Sequence, residues 1–263
     1  MNDFKFKNNV LHVENVSINN LIKKFDTPFY CYSANTIIGK INEFKKYFDN
    51  SNIIICYAVK ANPNIAILKI LSKLGCGAEV VSIGELLRTL KAGISNNKIV
   101  FSGVGKTSEE LEYAIKKNIL QINVESLDEL RLIIKISKKL KKKVNLGLRI
   151  NPNIDAKTHS KITTGTKNDK FGLDIETAEK IYKNYNNNPN IKILGLSIHI
   201  GSQITNINRG GLRTARIDPS RQGSIDERKI RPNGPTRTRN GPKRSKKSKN
   251  GPKTRQTTRS YQL

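Results

Sequence analysis

The stretch Ile53-Ile54-Ile55-Cys56-Tyr57-Ala58-Val59-Lys60-Ala61-Asn62-Pro63-Asn64 decides how the rest of the chain is read. From Ile53 to Val59 the residues are apolar or aromatic without alternation, the pattern of a strand buried on both faces. Lys60 ends that run. Asn62-Pro63 then offers an N-cap and a residue whose fixed φ suits a first helical position. The amphipathic stretch Ile65–Leu74 follows. A strand leading into a capped helix is one unit of a parallel α/β fold.

Outward from it the unit recurs. Further apolar runs lie at Gly77–Val81, Ile99–Phe101, Leu120–Val124, Val144–Ile150 and Ile193–His199. Amphipathic stretches lie at Glu85–Ala92, Glu109–Lys117 and Leu127–Leu140. Ser82…Glu85, Thr107…Glu110 and Ser126…Glu129 have capping-box spacing just after predicted strands. Gly75 and Gly93 stand where helices should stop. The first five strands start roughly 20–25 residues apart, a regularity that favours a (β/α)8 TIM-type barrel over a doubly wound sheet. The expected fold is therefore α/β, with six N-terminal strand–helix units of such a barrel. The polar insertion from Asn151 to about Gly172 follows a strand, on the face where barrel enzymes carry their chemistry. It reads as a lid or binding loop.

Composition divides the chain in two. It has 263 residues, 48 Lys and Arg, 21 Asp and Glu, and a formal charge of +27. Residues 208–263 hold 17 of the basic residues, three of the acids and only seven hydrophobic residues. Asn-Gly-Pro recurs there at Asn233, Asn240 and Asn250. So little apolar surface cannot offset ordering entropy, so 208–263 is expected to be a disordered, low-complexity basic tail. Residues 1–207 are expected to form a partial barrel domain. Nucleic acid would meet the tail only through non-specific charge, since Tyr261 is its one aromatic residue.

No apolar run reaches the ~18 residues of a membrane span. The start, Met1-Asn2-Asp3-Phe4-Lys5, lacks a signal peptide's apolar core. Cys31, Cys56 and Cys76 show no CxxC spacing and suit a reducing, cytoplasmic setting. His12, His159 and His199 have no metal-ligand spacing, so no metal is expected.

Several residues could carry chemistry. Lys60, at a strand end, is either a Schiff-base nucleophile in a barrel mouth or a lysine reaching out to water. His199 also ends a strand, before Ile200-Gly201-Ser202-Gln203, and suits ring stacking, proton transfer or a structural rim position. Arg149 ends Leu146-Gly147-Leu148-Arg149 and needs an anionic partner, whether a ligand or a helix acid. A capping box alone explains Ser82 and Glu85. Gly103-Val104-Gly105-Lys106 is neither a P-loop nor a dinucleotide fingerprint.

Taken in order, these segments resemble the diaminopimelate decarboxylases, pyridoxal-phosphate enzymes with an alanine-racemase-like barrel. The matching stretches are Tyr57–Asn64, Gly77–Leu86, Phe101–Thr107, Arg149–Pro152, Thr158-His159, Thr164-Gly165, Lys170–Gly172 and His199–Gln203. The resemblance runs from about residue 26 to 207. It implies decarboxylation of meso-diaminopimelate to L-lysine, with pyridoxal 5'-phosphate as cofactor and a homodimer as the complete enzyme. It implies that Lys60 bonds the cofactor covalently and that His199 stacks on its ring. Ser202 is implied near the phosphate and Arg149 by the ring hydroxyl. Glu79, Ser82 and Glu85 are implied in the cofactor shell. Sister enzymes acting on ornithine, arginine or carboxynorspermidine are the alternatives within the family. The resemblance stops after Ile207. Residues 208–263 carry no glycine-rich phosphate loop, no Glu-Pro-Gly-Arg segment and no C-terminal β-domain. They are expected to be foreign to the enzyme, through frameshift, fusion or assembly error, and activity is expected to be impaired.

Overall fold

The computed structural model describes residues 3–48, 53–151 and 171–199, and the backbone of 259–262. The chain forms two compact units, Met1–Ile99 with Thr257–Leu263, and Val100–Gln256.

The first unit opens with a small antiparallel sheet, β1 (Phe4–Lys7), β2 (Val10–Val13) and β3 (Val16–Ser17). Asn8 and Asn9 both take positive φ in the β1–β2 turn, the conformation that two-residue hairpins favour and that Asn tolerates. Two short helices follow, α1 (Ile18–Ile22) and α2 (Ala34–Lys46). Ser33 caps α2 by accepting from Thr36 N at 2.9 Å. Asp3 accepts from Thr36 Oγ1 at 2.7 Å, and Glu14 accepts from Asn35 N at 2.9 Å, so the small sheet is tied to the start of α2. None of these elements was expected, because short strands such as Phe-Lys-Phe-Lys carry too little apolar pattern.

The barrel units begin with β4 (Ile53–Ala58), α3 (Ile65–Lys73), β5 (Gly77–Val80) and α4 (Ile83–Lys91). β4 and β5 pair in parallel, with Cys56 opposite Gly77 and Ala58 opposite Glu79. The α3 cap differs from expectation. Asn64 is the N-cap and accepts from Ala66 N at 2.9 Å, while Asn62 Oδ1 accepts from Asn64 N at 3.0 Å. Asn62 thus shapes the turn before the helix, and Pro63 stands outside it. Gly75 and Gly93 take φ of +75° and +86° just beyond α3 and α4, as expected of helix stops.

Four residues of the tail form β10 (Arg259–Gln262), parallel to β4 from Ile53 to Cys56. The expectation of a tail without structure does not hold for them. An edge strand offers unpaired N–H and C=O groups that any extended segment can satisfy. Residues 208–258 lie outside the described residues.

The second unit continues with β6 (Ile99–Phe101), α5 (Ser108–Lys116), β7 (Gln121–Val124), α6 (Leu127–Leu140), β8 (Val144–Ile150), α7 (Ile175–Tyr185) and β9 (Ile191–Ile198). β6 to β9 pair in parallel in chain order. Thr107 and Glu110 complete the expected capping box on α5. Leu130, Ile133 and Ile136 are buried at helical spacing on α6, and Leu146 and Leu148 are buried on β8. Each such Leu or Ile contributes about 1.5–3 kcal/mol by leaving water. Apart from β10, six parallel strands, the first five each followed by a helix, make this a (β/α)8-type chain with six strand–helix positions among the described residues.

Candidate active site

Two groups of chemistry-bearing side chains sit at the C-terminal ends of the strands, one group on each unit. On the first unit, β4 ends at Ala58, and Lys60 occupies a single 3-10 turn, Val59–Ala61. This corrects the expectation that Lys60 closes the strand itself: the backbone turns sharply before Asn62, and the lysine side chain is exposed. Glu79 is buried at 4% exposure, next to Ala58 across the β4–β5 ladder. Ser82 caps α4 by accepting from Glu85 N at 3.3 Å. Glu85 accepts from Val81 N at 2.9 Å, one residue further back than a capping box requires. Both side chains therefore have structural work. Burial pushes the Cys56 thiol up to about 12, and the nearby Glu79 and Cys76 act in the same direction. Cys56 is thus an inert thiol under the site and no nucleophile.

On the second unit, Arg149 lies in β8, and its Nη1 donates to Glu125 Oε1 at 2.8 Å and Oε2 at 2.9 Å. The acid stands at the junction between β7 and α6, two residues before the first helical residue. Their side chains are 12% and 2% exposed. Gly103 N donates to the same Glu125 Oε1 at 2.8 Å. The Arg149 guanidinium also lies over the Phe171 ring, 5.2 Å from its centroid. Leu173 N donates to Arg149 O, and Asn151 N donates to Leu173 O, both at 2.8 Å. These bonds pinch together the two ends of the 151–172 insertion. Its interior, with Thr158-His159, Thr164-Gly165 and Lys170, lies outside the described residues. His199 is half-buried one residue beyond β9. Ser202 lies outside the described residues.

The floor beneath these residues is polar, which sequence reasoning missed. Asn123 Nδ2 donates to Ser102 Oγ at 2.7 Å and to Ser197 Oγ at 3.2 Å. Gln121 Nε2 donates to Asn123 Oδ1 at 2.7 Å. Asn123 on β7 reaches Ser197 on β9 across β8, where Gly147 intervenes. A Cβ on Gly147 would collide with Gln121 Nε2 and Asn123 Oδ1. Lys106, directly after Gly103-Val104-Gly105, has a side chain only 1% exposed. Its Nζ donates to Glu129 Oε1 at 2.5 Å, Gly103 O at 2.6 Å and Asn123 O at 2.8 Å. Three acceptors satisfy a buried ammonium completely.

Each unit carries chemistry of its own. On the first, the exposed Lys60 amine can react with an aldehyde. On the second, the His199 imidazole face can stack on a flat ring and the anchored Arg149 guanidinium can hold an anionic oxygen. Pyridoxal phosphate, a flat ring with an aldehyde and anionic oxygens, is compatible with each of these groups taken separately. Among the described residues no cluster of His, Cys, Asp and Glu could hold a metal ion. No helix among them is long and apolar enough to cross a membrane.

Comparison with known proteins agrees with the chemistry. The model of pyridoxal-dependent decarboxylases, pyridoxal binding domain, matches residues 34–215. The chain belongs to that family. Among its relatives, the diaminopimelate decarboxylase of Haemophilus influenzae is 44% identical over 207 residues, covering 79% of this chain and 50% of that protein. The Helicobacter pylori diaminopimelate decarboxylase crystallised with L-lysine superposes with a TM-score of 0.71 at 43% identity, over 73% of this chain and 49% of that one. The M. jannaschii diaminopimelate decarboxylase gives 0.72 at 40% identity, over 78% and 49%. The arginine decarboxylase of Paramecium bursaria Chlorella virus shares the fold, with a TM-score of 0.60 at 24% identity. The chain spans about half the length of the curated relatives it matches.

Proposed function

We propose that this chain is a pyridoxal-phosphate-dependent carboxy-lyase that converts meso-diaminopimelate to L-lysine. The observation that carries the reading is the 44% identity to a diaminopimelate decarboxylase over 207 residues, a span that includes Lys60, Glu79, Arg149 and His199. When bound, pyridoxal phosphate supplies a conjugated ring that accepts the electron pair left by departing CO2.

The chain's own residues then have distinct tasks. Lys60 Nζ would be the nucleophile that holds the cofactor covalently. His199 would stack on the cofactor ring, and Ser202 would bind its phosphate. Arg149, already gripped by Glu125, would donate to the ring hydroxyl. Glu79, Ser82 and Glu85 would complete the shell. The complete enzyme is a homodimer in the cytoplasm. The basic residues of 208–263 bind polyanions only by charge.

The test is release of CO2 from carboxyl-labelled meso-diaminopimelate by the full chain with added pyridoxal phosphate. Ornithine, arginine and carboxynorspermidine are assayed beside it. Turnover confined to diaminopimelate supports the reading. Preference for any of the other three overturns the substrate assignment.

A further inference from the structure

Glu125 is a buried acid whose surroundings are built around its charge. Its carboxylate accepts from Arg149 Nη1 through both oxygens and from Gly103 N. Its own backbone N–H donates to Glu129 Oε2 at 2.9 Å, and Glu129 is held in turn by Lys106. The acid is thus fixed from the backbone side and from the loop after β6. Arg149 is pinned through one nitrogen, while its Nε and Nη2 take no part in the contact with Glu125. The Phe171 ring lies 5.2 Å away on its flat side. A guanidinium held this way loses its rotamer freedom before any ligand arrives, which removes that cost from binding.

We propose that Glu125 is a positioning residue for the cofactor: it orients the Arg149 guanidinium and balances its charge, so that the remaining N–H donors meet an anionic oxygen of the bound ring. This rests on the reading that Arg149 contacts pyridoxal phosphate. The charge balance matters as much as the orientation. With Glu125 in place, the pair adds no net positive potential beside the ring. Without it, Arg149 makes protonation of the bound cofactor harder.

The experiment uses the full chain as wild type, Glu125→Gln, Arg149→Met and the double variant. Pyridoxal phosphate is titrated by visible absorption, and the absorption of the bound cofactor is then followed against pH. Thermal melts accompany each protein. Glu125→Gln is expected to weaken cofactor binding about tenfold and to lower the pH midpoint of the absorption by about half a unit. The double variant should bind no worse than Arg149→Met alone, because Glu125 acts through Arg149. A merely structural ion pair would lower the melting temperature and leave the midpoint where it was.

Wild-type affinity and midpoint in Glu125→Gln overturn the inference, as do additive losses in the double variant. Should Glu125→Gln not fold, Glu125→Asp replaces it: the shortened carboxylate keeps the charge but releases Arg149. Weaker binding at an unchanged midpoint is then the expected result, and unchanged binding overturns the proposal. A wild type that takes up no cofactor overturns the inference and the functional reading together. Saturable wild-type uptake with an indifferent Glu125→Gln overturns the inference alone.

Discussion

Gly77 opens β5 opposite Cys56, and the space beside its Cα is already filled. A Cβ built there collides with the backbone carbonyl of Lys98, comes within 2.8 Å of Cys56 Sγ and 3.2 Å of Ile54 Cγ2. The carbonyl cannot yield cheaply, since Lys98 immediately precedes β6, and it also accepts a weak bond from Cys56 Sγ at 3.7 Å. Overpacking a well-filled core costs about 1–3 kcal/mol, and a fixed backbone partner places Gly77→Ala at the upper end. About 2–3 kcal/mol corresponds to a melting temperature roughly 4–12 °C lower in a chain of this size. Gly39 is the matched control. It lies exposed in α2 with nothing within 4 Å of a built Cβ, so Gly39→Ala should stabilise by about 0.5–1 kcal/mol through helix propensity. Both variants are read by urea unfolding and thermal melts. The reasoning fails if Gly77→Ala costs under ~1 kcal/mol, or if the two substitutions act with the same sign.

Further outcomes follow from other contacts. Lys106→Met removes the buried ammonium that three acceptors share and should destabilise by about 3–5 kcal/mol in urea unfolding, whereas Lys106→Met with Glu129→Leu should recover most of that loss. Burial raises the Cys56 thiol to about 12, so native protein at pH 8 should leave Cys56 unmodified by a thiol reagent, while the half-buried Cys31 reacts and denaturant exposes all three. Because the folded value exceeds the unfolded one, the Cys56 contribution to stability is complete below about pH 9 and is lost as pH climbs toward about 12, which stability measured against pH will show. Asp174 caps α7, and its bonds from Thr177 hold its carboxyl below the ordinary value. Its contribution is therefore present above about pH 4 and fades as pH falls further, and Asp174→Ala should cost about 1 kcal/mol at pH 7 and progressively less in acid.

Much of the fold could be read because each strand–helix junction states itself locally. The Ser/Thr-x-x-Glu caps at Ser82, Thr107 and Ser126 lie beside apolar runs, and Gly75 and Gly93 mark where helices stop. The small N-terminal sheet was not legible, since its ties are distant side-chain bonds from Asp3 and Glu14 to the head of α2. Lys60, Arg149 and His199 stood out as polar residues closing apolar runs. Glu125 did not, because an acid beside a capping box reads as part of the cap. Its signal was the alternation Gln121, Asn123, Glu125 against the buried Ile122 and Val124. That is a strand with one polar face, and here the polar face carries the floor and the clamp on Arg149.

The central claim is that this chain binds pyridoxal phosphate through Lys60. The most direct measurement is the visible absorption of purified full-length protein with added pyridoxal phosphate, wild type beside Lys60→Ala. The account predicts a saturable band near ~420 nm that the wild type shows and Lys60→Ala lacks, with both proteins melting alike. A band that survives in Lys60→Ala, or a wild type with none, contradicts it.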